Sequence, residues 1–105
     1  MDRVDRLFDD YLEALDRCRD AEAVVRVFKR FMAMCADVIR DTGRLFRMGE
    51  IDEYSAADVY NRVESAMSHA EIDAVEKLGD ILSGIGYRYR QEVDRIAYRS
   101  FLKPQ

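Results

Sequence analysis

The chain has 105 residues, 49% of them hydrophobic and 36% charged, and a net charge of -4. That length suits one domain with a modest core, and the composition excludes an intrinsically disordered chain. No apolar run approaches the roughly 20 residues a membrane-crossing helix needs, and the charged opening "MDRVDRLFDDYLEALDR" does not read as a secretory signal.

The single proline, Pro104, lies near the C-terminus, so nothing of that kind interrupts long helices. The first helix is expected over about residues 2–18. Val4, Phe8, Tyr11, Leu15 and Cys18 recur at spacings of four and three, and Leu7 and Leu12 widen the stripe. Asp2, Asp5, Asp9 and Asp10 load its start with negative charge, which suits the helix dipole. Asp20 is the expected N-cap of the second helix.

That second helix is expected over about 21–48. Val24, Phe28, Phe31, Cys35, Val38, Thr42 and Leu45 form one apolar row, and Val25, Met32, Ile39 and Phe46 form another beside it. A stripe this broad faces more than one neighbour. Gly49, after Arg40, Arg44 and Arg47, is the expected C-terminal stop.

Ser55 followed by Asp58 resembles a capping box and places the start of the third helix near residue 56. Val59, Val63, Met67 and Ala70 are its expected core row. Further along, Ile72, Val75, Gly79, Leu82, Gly86, Tyr89, Val93 and Ile96 alternate at three and four without losing phase. The phase runs through three glycines, so one helix over about 56–101 is expected. The alternative is a bend or break at 83–86. Gly79 and Gly86 would form a flat strip for close helix packing, against Phe28, Phe31 or Met32 or against a copy of the same helix.

The expected fold is therefore all-α: one domain over 1–105, an antiparallel bundle of three long helices, or four if the last breaks near Gly84–Gly86. Oligomerisation is expected to complete it, because its two surplus apolar rows exceed what a three-helix monomer covers.

Several patterns bear on chemistry. Gly84-x-Gly86 has Tyr89 where a dinucleotide fingerprint has its third glycine, and it follows no strand, which excludes phosphate cradling. His69, Asp73, Glu76 and Asp80 share one stripe, and His69 with Asp73 is the metal alternative to a solvated, salt-bridged face. Arg62 and His69, with six residues between them, resemble the arginine-histidine motif of the HEPN family, small helical proteins often acting as ribonucleases in dimers. The likeness covers eight residues, and Val63 stands where those motifs usually carry a polar residue. It implies Arg62 and His69 as catalytic residues acting on RNA.

Fourteen arginines stand against three lysines, and charge is segregated: -4 over residues 1–25, +4 over 26–48, -7 over 49–80 and +3 over 81–105. Arg40, Arg44, Arg47, Arg88, Arg95 and Arg99 are candidate anion or nucleic-acid contacts, the last three interleaved with aromatic residues. Oppositely charged helices that neutralise one another explain the same pattern.

The favoured function is a non-enzymatic assembly protein or adaptor, joined to itself or to another protein along the seam from Ile72 to Ile96. Nucleic-acid binding, as a regulator or coat protein, is the first alternative and an HEPN-like ribonuclease the second. No cofactor is expected, a membrane surface is disfavoured, and the expected location is the cytoplasm. Cys18 and Cys35 then serve as small buried hydrophobes.

Overall fold

The computed structural model describes the backbone of residues 2–102 and the side chains of residues 2–84. Three helices follow one another: α1 (Arg3–Asp16), α2 (Ala21–Arg47) and α3 (Glu53–Leu102). There is no strand among the described residues. Among the described residues, no helix is long and apolar enough to cross a membrane.

The helix ends follow from local chemistry. Asp2 caps α1 by accepting from the Val4 amide at 3.0 Å, and Asp20 caps α2 by accepting from the Ala23 amide at 2.8 Å. Each satisfies an amide that the helix itself leaves unpaired. Gly49 ends α2 at φ +75°, with its amide donating to Phe46 and the Glu50 amide donating to Leu45. This pair of bonds is a Schellman motif, and its left-handed residue is best filled by glycine.

The start of α3 corrects the sequence reading. Asp52, not Ser55, accepts the first free amide, that of Ser55, at 2.7 Å, so the helix begins at Glu53. The same bond from the Ser55 amide holds the Asp52 carboxyl below the usual carboxylate range.

The continuous helix expected through the glycines is what forms, and the alternative break at 83–86 does not occur: α3 runs unbroken for 50 residues. At 1.5 Å per residue it is about 75 Å long, against about 40 Å for α2. A short connection joins these two helices, so α3 outruns the bundle, and the molecule measures 84 × 21 × 17 Å. Lys77 reaches the Asp16 carbonyl at 3.3 Å, and Leu78 and Ile81 are the last described side chains of α3 packed on the core. Beyond them, residues 82–102 form an overhang of about 30 Å.

The core lies where all three helices run together. Val4, Tyr11, Leu15 and Cys18 meet Val24, Phe31, Cys35 and Val38 and a row of α3 made of Val63, Ala66, Ala70 and Ala74. Three alanines in that row let α3 approach closely. Tyr11 lies against Phe31, with ring centroids 4.6 Å apart, and its hydroxyl donates to the Ala70 carbonyl at 2.7 Å. Burial, with the Asp73 charge as a lesser cause, pushes Tyr11 up to about 12. Both cysteines are buried and unpaired, and burial raises the Cys35 thiol.

Candidate functional site

Each pair of neighbouring helices in a three-helix bundle offers one groove to the third helix. Here α1 fills one side of the α2/α3 pair. The Ala70 carbonyl, Arg62 and Lys77 of α3 all meet α1 on that side. The other side is open. Met32, Ile39, Tyr60 and Met67 line a cleft of about 530 Å³ there, with Glu64, Ser68 and Glu71 along the α3 rim. Val25, Ile39 and Phe46, three members of the second apolar row of α2, are exposed. Helix periodicity alone creates this face: a row four residues wide cannot turn wholly toward one neighbour.

The α3 seam continues that open side. Ile72 and Val75 stand one turn beyond Ser68 and Glu71 of the cleft rim. Ile72, Val75 and Leu82 are 57%, 61% and 58% exposed. Such values are unusual for large aliphatic side chains on one continuous stripe. The remaining seam residues Gly86, Tyr89, Val93 and Ile96 lie outside the described side chains, as do Arg88, Arg95 and Arg99.

Of the two partners expected for Gly79, α2 through Phe28, Phe31 or Met32 or a copy of the same helix, the first is overturned. A Cβ built on Gly79 would meet nothing within 4 Å, and Phe31 is committed to Tyr11 and Phe8. The seam points away from α2 because the core row, from Val63 to Ala74, occupies a different side of α3. A glycine that does meet a neighbour is Gly43 of α2, which the sequence reading passed over. Its added Cβ would lie 3.2 Å from the Tyr60 hydroxyl. A glycine one turn after Ile39, within the second apolar row of α2, was the available signal.

Gly84 is also exposed with nothing within 4 Å, so it costs helix stability without an intrachain contact in return. Gly84→Ala is expected to stabilise the middle of α3 by about 1 kcal/mol. Amide hydrogen exchange around position 84 should then slow severalfold.

Arg62, His69, Arg40 and Arg44 are engaged within the chain. Arg62 pairs with Asp2 of α1 and with Asp58, one turn back, at 3.2 Å. The His69 Nδ1 lies 2.8 Å from the Ser65 carbonyl, and its ring edge meets Phe8. The HEPN-like pair therefore consists of an arginine between two carboxylates and a histidine tied to its own helix. Arg40 pairs with Asp37 at 3.2 Å and Arg44 with Asp41 at 3.7 Å, while Asp41 also meets Arg3 of α1. Arg47 lies on the surface, with its guanidinium near Gly43. For the metal alternative, the stripe of His69, Asp73, Glu76 and Asp80 fails to converge. No group of three or more histidine, cysteine or acidic side chains that could hold a metal occurs among the described residues. Successive members three or four residues apart spread along the rise of a single helix, and among the described residues no second helix adds a ligand to them.

A smaller, more enclosed groove of about 250 Å³ lies between α1 and α2, lined by Leu7, Tyr11, Val27, Phe31 and Met34, with Asp10 and Arg30 at its edge. It is mainly apolar and brings no nucleophile and base together. Comparison of the chain with protein-family models, with curated proteins and with solved structures found no match.

Proposed function

We propose that this protein is a non-enzymatic helical assembly protein that works by self-association through the α3 seam and the open side of α2 and α3. The observation that carries this reading is the row of Ile72, Val75 and Leu82, each more than half exposed, at heptad spacing on a helix that outruns its own bundle. Heptad rows of this kind are buried by a second helix. Burying a large aliphatic side chain yields about 1.5–3 kcal/mol, so a seam several residues long suffices for a stable dimer even after the entropic cost of association.

Nucleic-acid binding draws less support, because Arg40 and Arg44 already face acidic partners on their own helix. The HEPN-like reading draws less still, because Arg62 is held by two carboxylates.

Sedimentation at micromolar concentration tests the proposal, with and without DNA or RNA at two salt concentrations. The expected result is a dimer or larger species, unchanged by nucleic acid. Leu82→Asp should give a monomer that keeps its helical content, since Leu82 lies outside the core. A wild-type protein that stays monomeric at tens of micromolar overturns the reading. A salt-sensitive gain in mass with nucleic acid favours the first alternative.

A further inference from the structure

We infer that the partner is a second copy of this chain, aligned antiparallel along α3 in one register, so that each overhang supplies the fourth helix of the other copy's bundle. The inference rests on the self-association proposed above and adds partner, direction and register.

The direction follows from the glycines. In heptad terms Ile72, Gly79, Gly86 and Val93 occupy one type of seam position, and Val75, Leu82, Tyr89 and Ile96 the other. In a parallel pair each residue falls opposite itself. Gly79 would then face the partner's Gly79, and Gly86 the partner's Gly86, leaving two empty layers. An antiparallel pair sets one type of position opposite the other. When the seams overlap over their whole length, Ile72 falls opposite the partner's Ile96 and Val75 opposite the partner's Val93. Gly79 then falls opposite the partner's Tyr89, and Leu82 opposite the partner's Gly86. Both seam glycines, Gly79 and Gly86, meet a large residue, so no seam layer is empty. This also explains why Gly79 carries no intrachain contact despite its cost to the helix.

Charge selects the same direction independently. Residues 49–80 carry -7 and residues 81–105 carry +3. A parallel pair lays the acidic half on the acidic half and sets Glu71 beside the partner's Glu76. The antiparallel register lays acidic on basic. Its flanking positions bring Glu71 beside the partner's Arg99 and Glu76 beside the partner's Arg90, each pair occurring twice by symmetry.

Length closes the argument. The overhang is about 30 Å long and begins where Ile81 leaves the core. In this register the partner's last turns lie along α3 from about Ala66 to Ile81. The open side of α2 and α3 faces that stretch, with Met32 and the exposed Val25 contributed by α2.

Engineered cysteines in the full chain test the register. Val75→Cys and Val93→Cys are made as separate variants, expressed singly and together, and oxidised, with the wild type as control for the buried native thiols. The expected result is a disulfide-linked dimer only when the two variants are co-expressed. A linked dimer from either variant alone shows a parallel seam and overturns the inference, while leaving self-association standing. A dimeric mass with no link in any combination places the interface elsewhere and also overturns it. A monomeric mass for the wild type removes both the inference and the reading beneath it.

Discussion

Val63→Asp is expected to unfold the protein. Val63 is fully buried, at 0% exposure, where α3 meets the other two helices. A carboxylate there would have no described basic partner within the apolar core, and an unpaired buried charge costs several kcal/mol even after the group takes up a proton. Domains of this size are stable by only about 5–15 kcal/mol. The loss is also poorly absorbed, because Ala66, Ala70 and Ala74 leave little side-chain mass to rearrange around the site. Thermal melting followed by far-ultraviolet circular dichroism should show no cooperative transition. Val75→Asp is the matched control. It places the same charge on the same helix, at a position 61% exposed, and should retain the folded bundle while weakening association. Equal damage from both substitutions would show that α3 is buried on both sides, contrary to the structure.

Tyr11 should govern the alkaline limit of stability. Its hydroxyl is buried and donates to Ala70, and the folded protein holds its proton up to about 12, against an ordinary value of 10.0. The unfolded chain gives up that proton at the lower pH. Stability from this group is therefore complete below pH 10 and is lost as pH rises from about 10 to about 12. Urea midpoints measured across that window should fall for the wild type. Tyr11→Phe should be less stable at neutral pH by about 1 kcal/mol, the net worth of one buried hydrogen bond. It should also show a shallower alkaline decline. Parallel declines in the two proteins would assign the alkaline loss to other groups. Substitution with phenylalanine keeps the ring against Phe31, so the comparison isolates the hydroxyl.

Both experiments address the bundle. The cysteine and Leu82 experiments address what the bundle leaves uncovered. These two parts of the molecule differ in how far the sequence revealed them. The rows Val4–Tyr11–Leu15 and Val24–Phe31–Cys35–Val38 were legible because apolar spacing near 3.6 residues can be satisfied only by one buried helix face. Asp20 and Gly49 were legible because helix ends leave unpaired amides and carbonyls that few residue types satisfy so close by. The start of α3 was less legible: Asp52 and Ser55 are both competent caps three residues apart, and local sequence does not rank them.

The candidate site divides in the same way. The seam was visible as an unbroken three-four repeat, and the repeat also carried α3 through its glycines. The inward row of Val59, Val63, Met67 and Ala70 was visible too, but that α3 keeps this row inward through Ala74 and leaves the seam from Ile72 outside was not. That choice depends on the volume each row presents to α1 and α2, and the alanine row with Val63 permits the closer approach. The engagement of Arg62 was equally hidden, because Asp2 stands sixty positions away and meets it only once α1 lies alongside α3. Sequence by itself therefore determined the all-α class, the three helices, most of their caps and the surplus of apolar surface, since each is a property of neighbours within a few turns. Tertiary structure alone decided that α3 outruns the bundle, that Gly79 faces away from α2 and that one side of the α2/α3 pair stays open. Those outcomes depend on how whole helices share a limited core, and no short window of sequence contains that competition.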